Sequence, residues 1–303
     1  IVGGNFSTIP EGFFQGPSAL NSLRISGAGL QYLPNDLPPS IVTLDVSHNK
    51  LRELPRNWDT WAGIKWLTLS YNEIRRFPYP VAEDGNAECT GPSSLVVFWG
   101  HDAGVAELCD VFDSLTSLSG MEVSGDLTSL PPTIGSAPKL ASVYITNSKL
   151  SDLSPLSSMP KLTSLQVSGS LLASLPESLP RSLISIQLTS SKLAGAVPSV
   201  ICSLPNVSVL DLSDNQLSSV PLCVAEMESL TILKLEANSI TRLDALPPNL
   251  ELLNAASNSL EYVADFPGSR VRTIDLSNNA LSALPFVPAH DGNGGTKLDA
   301  RVN

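Results

Sequence analysis

The order of apolar and polar residues between Val207 and Leu217 recurs along the whole chain. In VSVLDLSDNQL the apolar residues Val207, Leu210 and Leu212 are followed by Asn215 and then Leu217. Leu210 and Leu212 alternate with polar residues, which predicts a short strand with one buried face. The second apolar residue of each copy lies at Leu23, Leu44, Leu67, Phe98, Met121, Val143, Leu165, Ile186, Leu210, Leu233, Leu253, Ile274 and Leu298. Neighbouring copies are 20 to 24 residues apart, except for one step of 31 residues between the third and fourth copies.

Because one such strand cannot bury its apolar face alone, the copies are expected to stack on one another. Stacking of about 13 repeats predicts an α/β-type solenoid with a parallel sheet. Many repeats continue into a dipeptide such as Leu54-Pro55 or Val220-Pro221. Proline disfavours helix just before it, so the side opposite the sheet should be mostly 3-10 or extended, with little α-helix.

The repeat frame also bears on domain organisation. We expect residues 1–303 to form a single solenoid rather than two domains, with an irregular repeat and an insertion near residues 75–112. Both chain ends fall within repeats, and neither shows a recognisable cap. We therefore expect the chain to be a slice of a longer protein.

The frame is similar to the L-x-x-L-x-L-x-x-N-x-L motif of the leucine-rich repeat family, and this resemblance covers the whole chain. It implies a right-handed solenoid whose parallel sheet lies on the concave side, and an asparagine that hydrogen-bonds backbone groups in each turn. The asparagine position holds Asn49, Asn72, Asn215, Asn238, Asn258 and Asn279. In the middle of the chain the same position holds Ala103, Asp126, Ser148, Ser170 and Ser191. Since alanine cannot form a side-chain hydrogen bond, the fourth repeat is expected to be irregular.

The four cysteines are spaced by about one repeat. Cys89 and Cys109 are 20 residues apart, and Cys202 and Cys223 are 21 residues apart. One repeat along a solenoid brings a residue to the neighbouring coil, about 4.8 Å away. Disulfides need Cα atoms about 4.4–6.8 Å apart, so the bridges Cys89–Cys109 and Cys202–Cys223 are predicted. The alternative is four buried free thiols, since cysteine is also common in cores.

Disulfides are typical of oxidising compartments, and two glycosylation sequons indicate the same location. The sequons are Asn5-Phe-Ser and Asn206-Val-Ser. Asn206 lies between two inward apolar residues, so its side chain should point outward. The chain is therefore predicted to be extracellular or at the cell surface, with glycosylation at Asn5 and Asn206.

Composition and motifs exclude several other classes of function. The net charge of −11 argues against nucleic acid and against an anionic membrane surface, since both need clustered cations. No apolar run approaches the roughly 18 residues of a membrane helix, so any membrane contact is expected through a segment outside this chain. The sequence has no zinc, phosphate-loop or dinucleotide motif, and IVGG at the start fits the repeat frame better than a protease. We expect no enzyme activity, no metal and no cofactor.

Binding is better supported than catalysis. Outward positions beside the third apolar residue form a serine and threonine column that includes Ser26, Ser47, Ser70 and Ser124, and we assign it no function. His101 interrupts this column, and exposed aromatic residues near it are favoured at binding hot spots. The predicted ligand-binding residues are Trp66, Tyr71, Trp99, His101, Tyr144, Asp45, His48, Asp102 and Glu122. The alternative is that the tryptophans pack against each other or against the insertion.

Three hypotheses of function remain. The first is the ectodomain of a cell-surface receptor, similar to receptor-like proteins or receptor kinases of plant or protist type. It would bind a protein, peptide or glycan on its concave face, with a co-receptor as a further partner. The second is a secreted scaffold or enzyme inhibitor. The third is the substrate-binding part of a bacterial effector ubiquitin ligase, a class that needs a catalytic domain which this sequence does not contain.

Overall fold

The computed structural model describes residues 3–4, 6–15, 19–55, 57–77, 91–268, 270–288 and, for the backbone, 297–299. The chain divides into two compact units, Ile1–Leu162 and Thr163–Asn303. Each unit is built from parallel strands, one for each repeat, and from extended or 3-10 segments on the opposite side. The predicted parallel-sheet solenoid with little helix is confirmed.

In the first unit, six strands form the main parallel sheet and a further pair lies on the opposite side. The main strands are β1 (Ser22–Arg24), β2 (Thr43–Asp45), β3 (Trp66–Thr68), β5 (Val97–Gly100), β7 (Gly120–Ser124) and β8 (Ser142–Thr146). The pair is β4 (Arg76–Phe77) with β6 (Glu107–Leu108). The 3-10 helices of this unit are Trp58–Thr60, Pro132–Ser136 and Ser154–Leu156.

The second unit repeats this plan with seven strands in its main sheet. They are β9 (Ser164–Ser168), β10 (Ser185–Thr189), β12 (Val209–Asp211), β14 (Ile232–Lys234), β16 (Leu252–Asn254), β18 (Thr273–Asp275) and β19 (Lys297–Asp299). On the opposite side β11 (Ala194–Ala196) pairs with β13 (Gln216–Ser219), and β15 (Arg242–Leu243) pairs with β17 (Tyr262–Val263). The 3-10 helices are Ser199–Ser203 and Leu222–Glu226, and no α-helix occurs among the described residues.

The predicted inward residues form the core of each unit. The second apolar position is buried at Leu44, Leu67, Phe98, Met121, Val143, Leu165, Ile186, Leu210, Leu233, Leu253 and Ile274. Leu23, in the first strand, is half-buried, and the side chain of Leu298 lies outside the described residues. On the opposite side of the first unit, Trp58 is fully buried and its ring lies 5.6 Å from that of Phe77. Phe77 in turn stacks on Phe98, with ring centroids 3.7 Å apart.

The asparagine position ties neighbouring coils together. The Asn49 amide nitrogen donates to the carbonyls of Ile25 at 2.7 Å and Val46 at 2.9 Å. Its amide oxygen accepts the backbone N–H groups of Ala28 and Leu30, both at 3.0 Å. One buried side chain therefore satisfies at least four backbone groups, as buried polar groups require. Bonds to the turn backbone are also made by Asn72, Asn215, Asn238, Asn258 and Asn279.

Two buried serines bond the turn of the fourth repeat, which has alanine at the asparagine position. Ala103 is fully buried, and no side-chain amide is present to bond the turn. The Ser70 hydroxyl accepts the His101 backbone N–H at 3.2 Å, and the Ser124 hydroxyl accepts the Asp102 backbone N–H. These two serines are buried, so the interpretation of their column as an outward one was wrong in this unit. Their hydroxyls accept backbone donors between coils, and Ser26 and Ser47 of the same column are similarly buried, with their hydroxyls 3.3 Å apart.

A disulfide joins the two 3-10 helices of the second unit. Cys202 and Cys223 are bonded, with their Cα atoms 5.9 Å apart, as the one-repeat spacing predicts. Cys109 is also disulfide-bonded. Cys89, its predicted partner, lies outside the described residues, as does most of the predicted insertion.

Candidate protein-interaction site

All nine predicted site residues are described, and all belong to the first unit. Trp66 and Trp99 lie on β3 and β5, where they alternate with the inward residues Leu67 and Phe98. Both indoles therefore lie on the solvent-facing side of the sheet, which we call its outer face. Their exposed fractions, 44% for Trp66 and 37% for Trp99, are large for tryptophan, which is usually well buried.

A row of aromatic rings follows the ends of the strands. His48 and Tyr71 adopt positive φ angles of 55° and 57°, which places them in the left-handed turns that follow β2 and β3. Their rings stack at 4.3 Å with planes 11° apart. The Tyr71 ring also meets the His101 ring edge-on at 5.6 Å. Tyr71 is 43% exposed, so the middle of this row is open to solvent.

A second group crosses β5, β7 and β8. Trp99 is the register partner of Glu122, which is in turn the register partner of Tyr144. The Trp99 and Tyr144 rings lie 6.5 Å apart with planes only 7° from parallel. We call the surface formed by Trp66, Tyr71, Trp99, His101 and Tyr144 the aromatic face.

The charged residues differ in how far they are already paired. Asp45 bonds Arg24 at 3.0 Å and also accepts the Ser47 backbone N–H at 3.0 Å, so it helps to hold the turn of its own repeat. Glu122 instead contacts the Nδ1 atom of His101 at 2.8 Å. Asp102 lies 3.6 Å from the Nε2 atom of the same imidazole. Two carboxylates therefore converge on one histidine at the edge of the aromatic face.

Two features were not apparent from the sequence reasoning. Trp58 and Trp61 lie close to Trp66 in the chain, yet both are buried on the opposite side of the unit and contribute no exposed surface. In the second unit, Val209, Ile232 and Leu252 form a half-buried apolar row on the outer face of the sheet. The sequence could have indicated this row. Each of the three residues begins its strand, two positions before a polar residue, and residues two positions apart on a strand share a face.

Of the two predicted glycosylation sites, only Asn206 lies within the described residues. Asn206 is exposed, and its amide donates to the Arg181 carbonyl at 3.1 Å. Asn5 lies outside the described residues. Within the described part of the chain, no cluster of three or more His, Cys, Asp or Glu residues could hold a metal ion. The same residues include no helix with the length and hydropathy to cross a membrane.

Comparison with known proteins identifies the repeat. A family model described as leucine rich repeat matches residues 181–240, and the same frame continues on both sides of the match. The chain belongs to the leucine-rich repeat family. Human podocan-like protein 1 is 26% identical over 280 residues, which make up 88% of this chain and 54% of that protein. Fibromodulin of Oryctolagus cuniculus is 31% identical over 115 residues, covering 37% of this chain and 78% of that protein. The leucine-rich repeat chain thus spans about half the length of podocan-like protein 1.

Solved structures of leucine-rich repeat proteins share the fold. YopM from Yersinia enterocolitica superposes with a TM-score of 0.71 and 26% identity over 99% of this chain and 62% of its own. The ectodomain of the Arabidopsis thaliana receptor kinase GASSHO1/SCHENGEN3 was solved in complex with CASPARIAN STRIP INTEGRITY FACTOR 2. It matches with a TM-score of 0.52 and 18% identity over 86% of this chain and 36% of its own. At that identity the likeness concerns the fold alone.

Proposed function

We propose that this chain is a non-catalytic recognition module that binds a protein or peptide on the aromatic face of its first unit. The observation that carries the proposal is the exposure of Trp66, Tyr71 and Trp99 on regular strands and turns. Aromatic side chains bury about 150–250 Å² each and have few rotatable bonds, so they stabilise contacts at low entropic cost.

The strands beneath the aromatic face hold it in place before a partner arrives. Leu67 and Phe98, which flank the two exposed indoles on β3 and β5, are buried in the core. The His48–Tyr71–His101 row and the Trp99–Tyr144 pair further restrict the rings. A preformed surface loses less conformational entropy on binding, and more of the contact energy appears as affinity.

The proposed location is extracellular, and the form we favour is the ectodomain of a cell-surface receptor of the receptor-like protein or receptor kinase class. The Cys202–Cys223 bridge supports an oxidising compartment, and the exposed Asn206 sequon is accessible to glycosylation. The receptor kinase ectodomain that shares the fold was solved in complex with CASPARIAN STRIP INTEGRITY FACTOR 2. A secreted scaffold or inhibitor without a signalling domain is compatible with the same surface.

The structural likeness to YopM favours a second candidate, the recognition part of a bacterial effector. The Yersinia pestis form of YopM is described as a leucine-rich effector protein. A protein working in a reducing cytosol would keep Cys202 and Cys223 as thiols. Mapping these cysteines in the protein from its native source separates the two candidates, since a bridged pair supports the extracellular one.

The binding proposal can be tested without knowing the natural partner. The 303-residue chain, secreted from an oxidising host, is used to select binders from a random peptide library. Peptides that also bind the Trp66→Ala/Trp99→Ala double variant are removed by counter-selection. We expect the remaining peptides to bind the wild type and to lose affinity for each single variant. If every enriched peptide binds the double variant equally well, the aromatic face is not the binding surface.

A further inference from the structure

One outward column of the sheet pairs opposite charges across neighbouring strands at two places. Arg24 and Asp45 are register partners and form an ion pair at 3.0 Å. In the second unit, Asp211 and Lys234 occupy the same strand position and form an ion pair at 3.4 Å. Asp275 in the same column has Asn254 and Asp299 as register partners and bonds Ser277 instead, so a cation matches the acid at only some strands.

Glu122 occupies the same column, but its neighbours there are Trp99 and Tyr144. Its ion-pair partner in the described structure is His101, which Asp102 also contacts. Neither carboxylate is paired with a lysine or arginine among the described residues. Two aromatic rings therefore stand beside Glu122, at the positions where Arg24 stands beside Asp45 and Lys234 stands beside Asp211.

We propose that an arginine side chain of the protein or peptide partner occupies this position, an inference that rests on the function proposed above. The guanidinium stacks on the exposed surface of the Trp99–Tyr144 ring pair and donates hydrogen bonds to Glu122 and Asp102. The two ring planes are 7° from parallel, so a planar guanidinium can lie parallel to both rings at once. A cation within about 6 Å of an aromatic centroid is attracted by the ring quadrupole.

Arginine fits this site better than lysine for two physical reasons. Its planar guanidinium stacks on aromatic rings and is weakly hydrated, whereas the compact ammonium of lysine is strongly hydrated. The guanidinium also offers several N–H donors in a fixed plane, which can reach two carboxylates at once. His101 acts here as a positioning residue, because its Nδ1 contact at 2.8 Å holds the Glu122 carboxylate beside the rings.

The test uses three blocked tripeptides, acetyl-Gly-X-Gly-amide, in which X is arginine, lysine or citrulline. Citrulline has nearly the shape of arginine but no charge. Each is titrated into the isotope-labelled 303-residue chain while the tryptophan indole N–H signals are followed by NMR. The Trp66→Phe and Trp99→Phe variants assign the two exposed indoles. We expect the arginine probe to move the Trp99 signal saturably, and the citrulline probe to bind at least about ten-fold more weakly.

Two matched variants test the role of the carboxylate. Glu122→Gln keeps the shape and can still accept a hydrogen bond from His101, and it should lower the affinity for the arginine probe about ten-fold. Asp211→Asn removes a charge that Lys234 already neutralises, and it should leave that affinity unchanged.

Equal binding of the arginine and citrulline probes, or of the arginine and lysine probes, would overturn the inference. An unchanged affinity in Glu122→Gln would overturn it as well. These failures are distinct from failure of the proposed function. Library peptides that depend on Trp99 but not on arginine would sustain the binding proposal and remove only the arginine site.

Discussion

The substitution Trp99→Ala tests the aromatic face most economically, and its effect can be estimated from the structure. The side chain is 37% exposed, and a tryptophan presents up to about 250 Å². Roughly 90 Å² is therefore available to a partner. At about 25 cal/mol per Å² this area contributes about 2 kcal/mol to binding. The dissociation constant of a peptide selected on the wild type should rise about 30-fold.

The same side chain also supports the fold, because most of its surface packs against the sheet. We expect Trp99→Ala to lower the free energy of unfolding by about 1–3 kcal/mol, as is usual for a partly buried residue. Leu210→Ala is the structural control. Leu210 is buried on β12 of the second unit, so its truncation should cost about 2–5 kcal/mol of stability while leaving peptide affinity nearly unchanged.

Isothermal titration calorimetry gives the affinities, and denaturant unfolding gives the stabilities. Circular dichroism on each variant confirms that the chain titrated is folded. If Trp99→Ala loses stability but binds the selected peptide as tightly as the wild type does, the indole is only a packing residue and our reasoning about its exposed surface is wrong.

Further predictions concern the framework of the repeats. Asn215→Ala should lower the free energy of unfolding by about 2–4 kcal/mol, because the buried amide bonds several backbone groups, and thermal or denaturant unfolding would measure the loss; a cost below about 0.5 kcal/mol would contradict that role. Replacing Cys202 and Cys223 together by serine should cost about 3 kcal/mol, the value expected for a loop of this length, and an unchanged denaturation midpoint would show that the bridge does not stabilise the fold. The pKa of Asp152 lies below its ordinary value because the Ser154 hydroxyl and backbone N–H donate to its carboxylate. A lowered pKa in the folded state means that this contribution is present above about pH 4 and is lost as the pH falls through the folded-state pKa. Asp152→Ala should therefore destabilise the fold more at pH 7 than at pH 2, by well under about 1 kcal/mol because solvent screens the exposed carboxylate, and a difference independent of pH would argue against the carboxylate bonds.

The repeated frame predicted the strands because the alternation of apolar and polar residues is a local feature of the sequence. Leu44, Leu67 and Leu210 are each followed by a polar residue, and stacking of the repeats buries only the strand face that carries the leucines. The Leu-Pro and Val-Pro dipeptides likewise predicted 3-10 and extended segments on the side opposite the sheet. Proline restricts the backbone of the residue directly before it, so this effect can be read from the sequence. The Cys202–Cys223 contact followed from the repeat length.

Features that depend on neighbouring coils were harder to predict. Ser70 and Ser124 are polar and lie beside the strands, so an outward position was the natural reading. They are buried because they lie between coils, where their hydroxyls accept the backbone N–H groups of His101 and Asp102. That arrangement is visible only when two repeats are considered together.

The candidate site was predicted in composition but not in geometry. The sequence indicated that aromatic and acidic residues gather near His101. The aligned positions Phe98, Met121 and Val143 already implied that the residues following them share a column, a consequence that the sequence reasoning did not draw. The sequence did not indicate that Asp45 bonds Arg24, or that two carboxylates converge on His101, because such contacts depend on side-chain rotamers and turn geometry.

The most direct test of the central claim is site-directed photo-crosslinking with a peptide selected on the wild-type chain. A photoreactive phenylalanine derivative is placed at Tyr71 in the aromatic face, or at Ile232 on the outer sheet face of the second unit. Crosslinked peptide is then quantified by mass spectrometry. Our account predicts crosslinks from position 71 that excess unmodified peptide suppresses, with only background labelling from position 232. Efficient, competable crosslinking from position 232 and none from position 71 would contradict it.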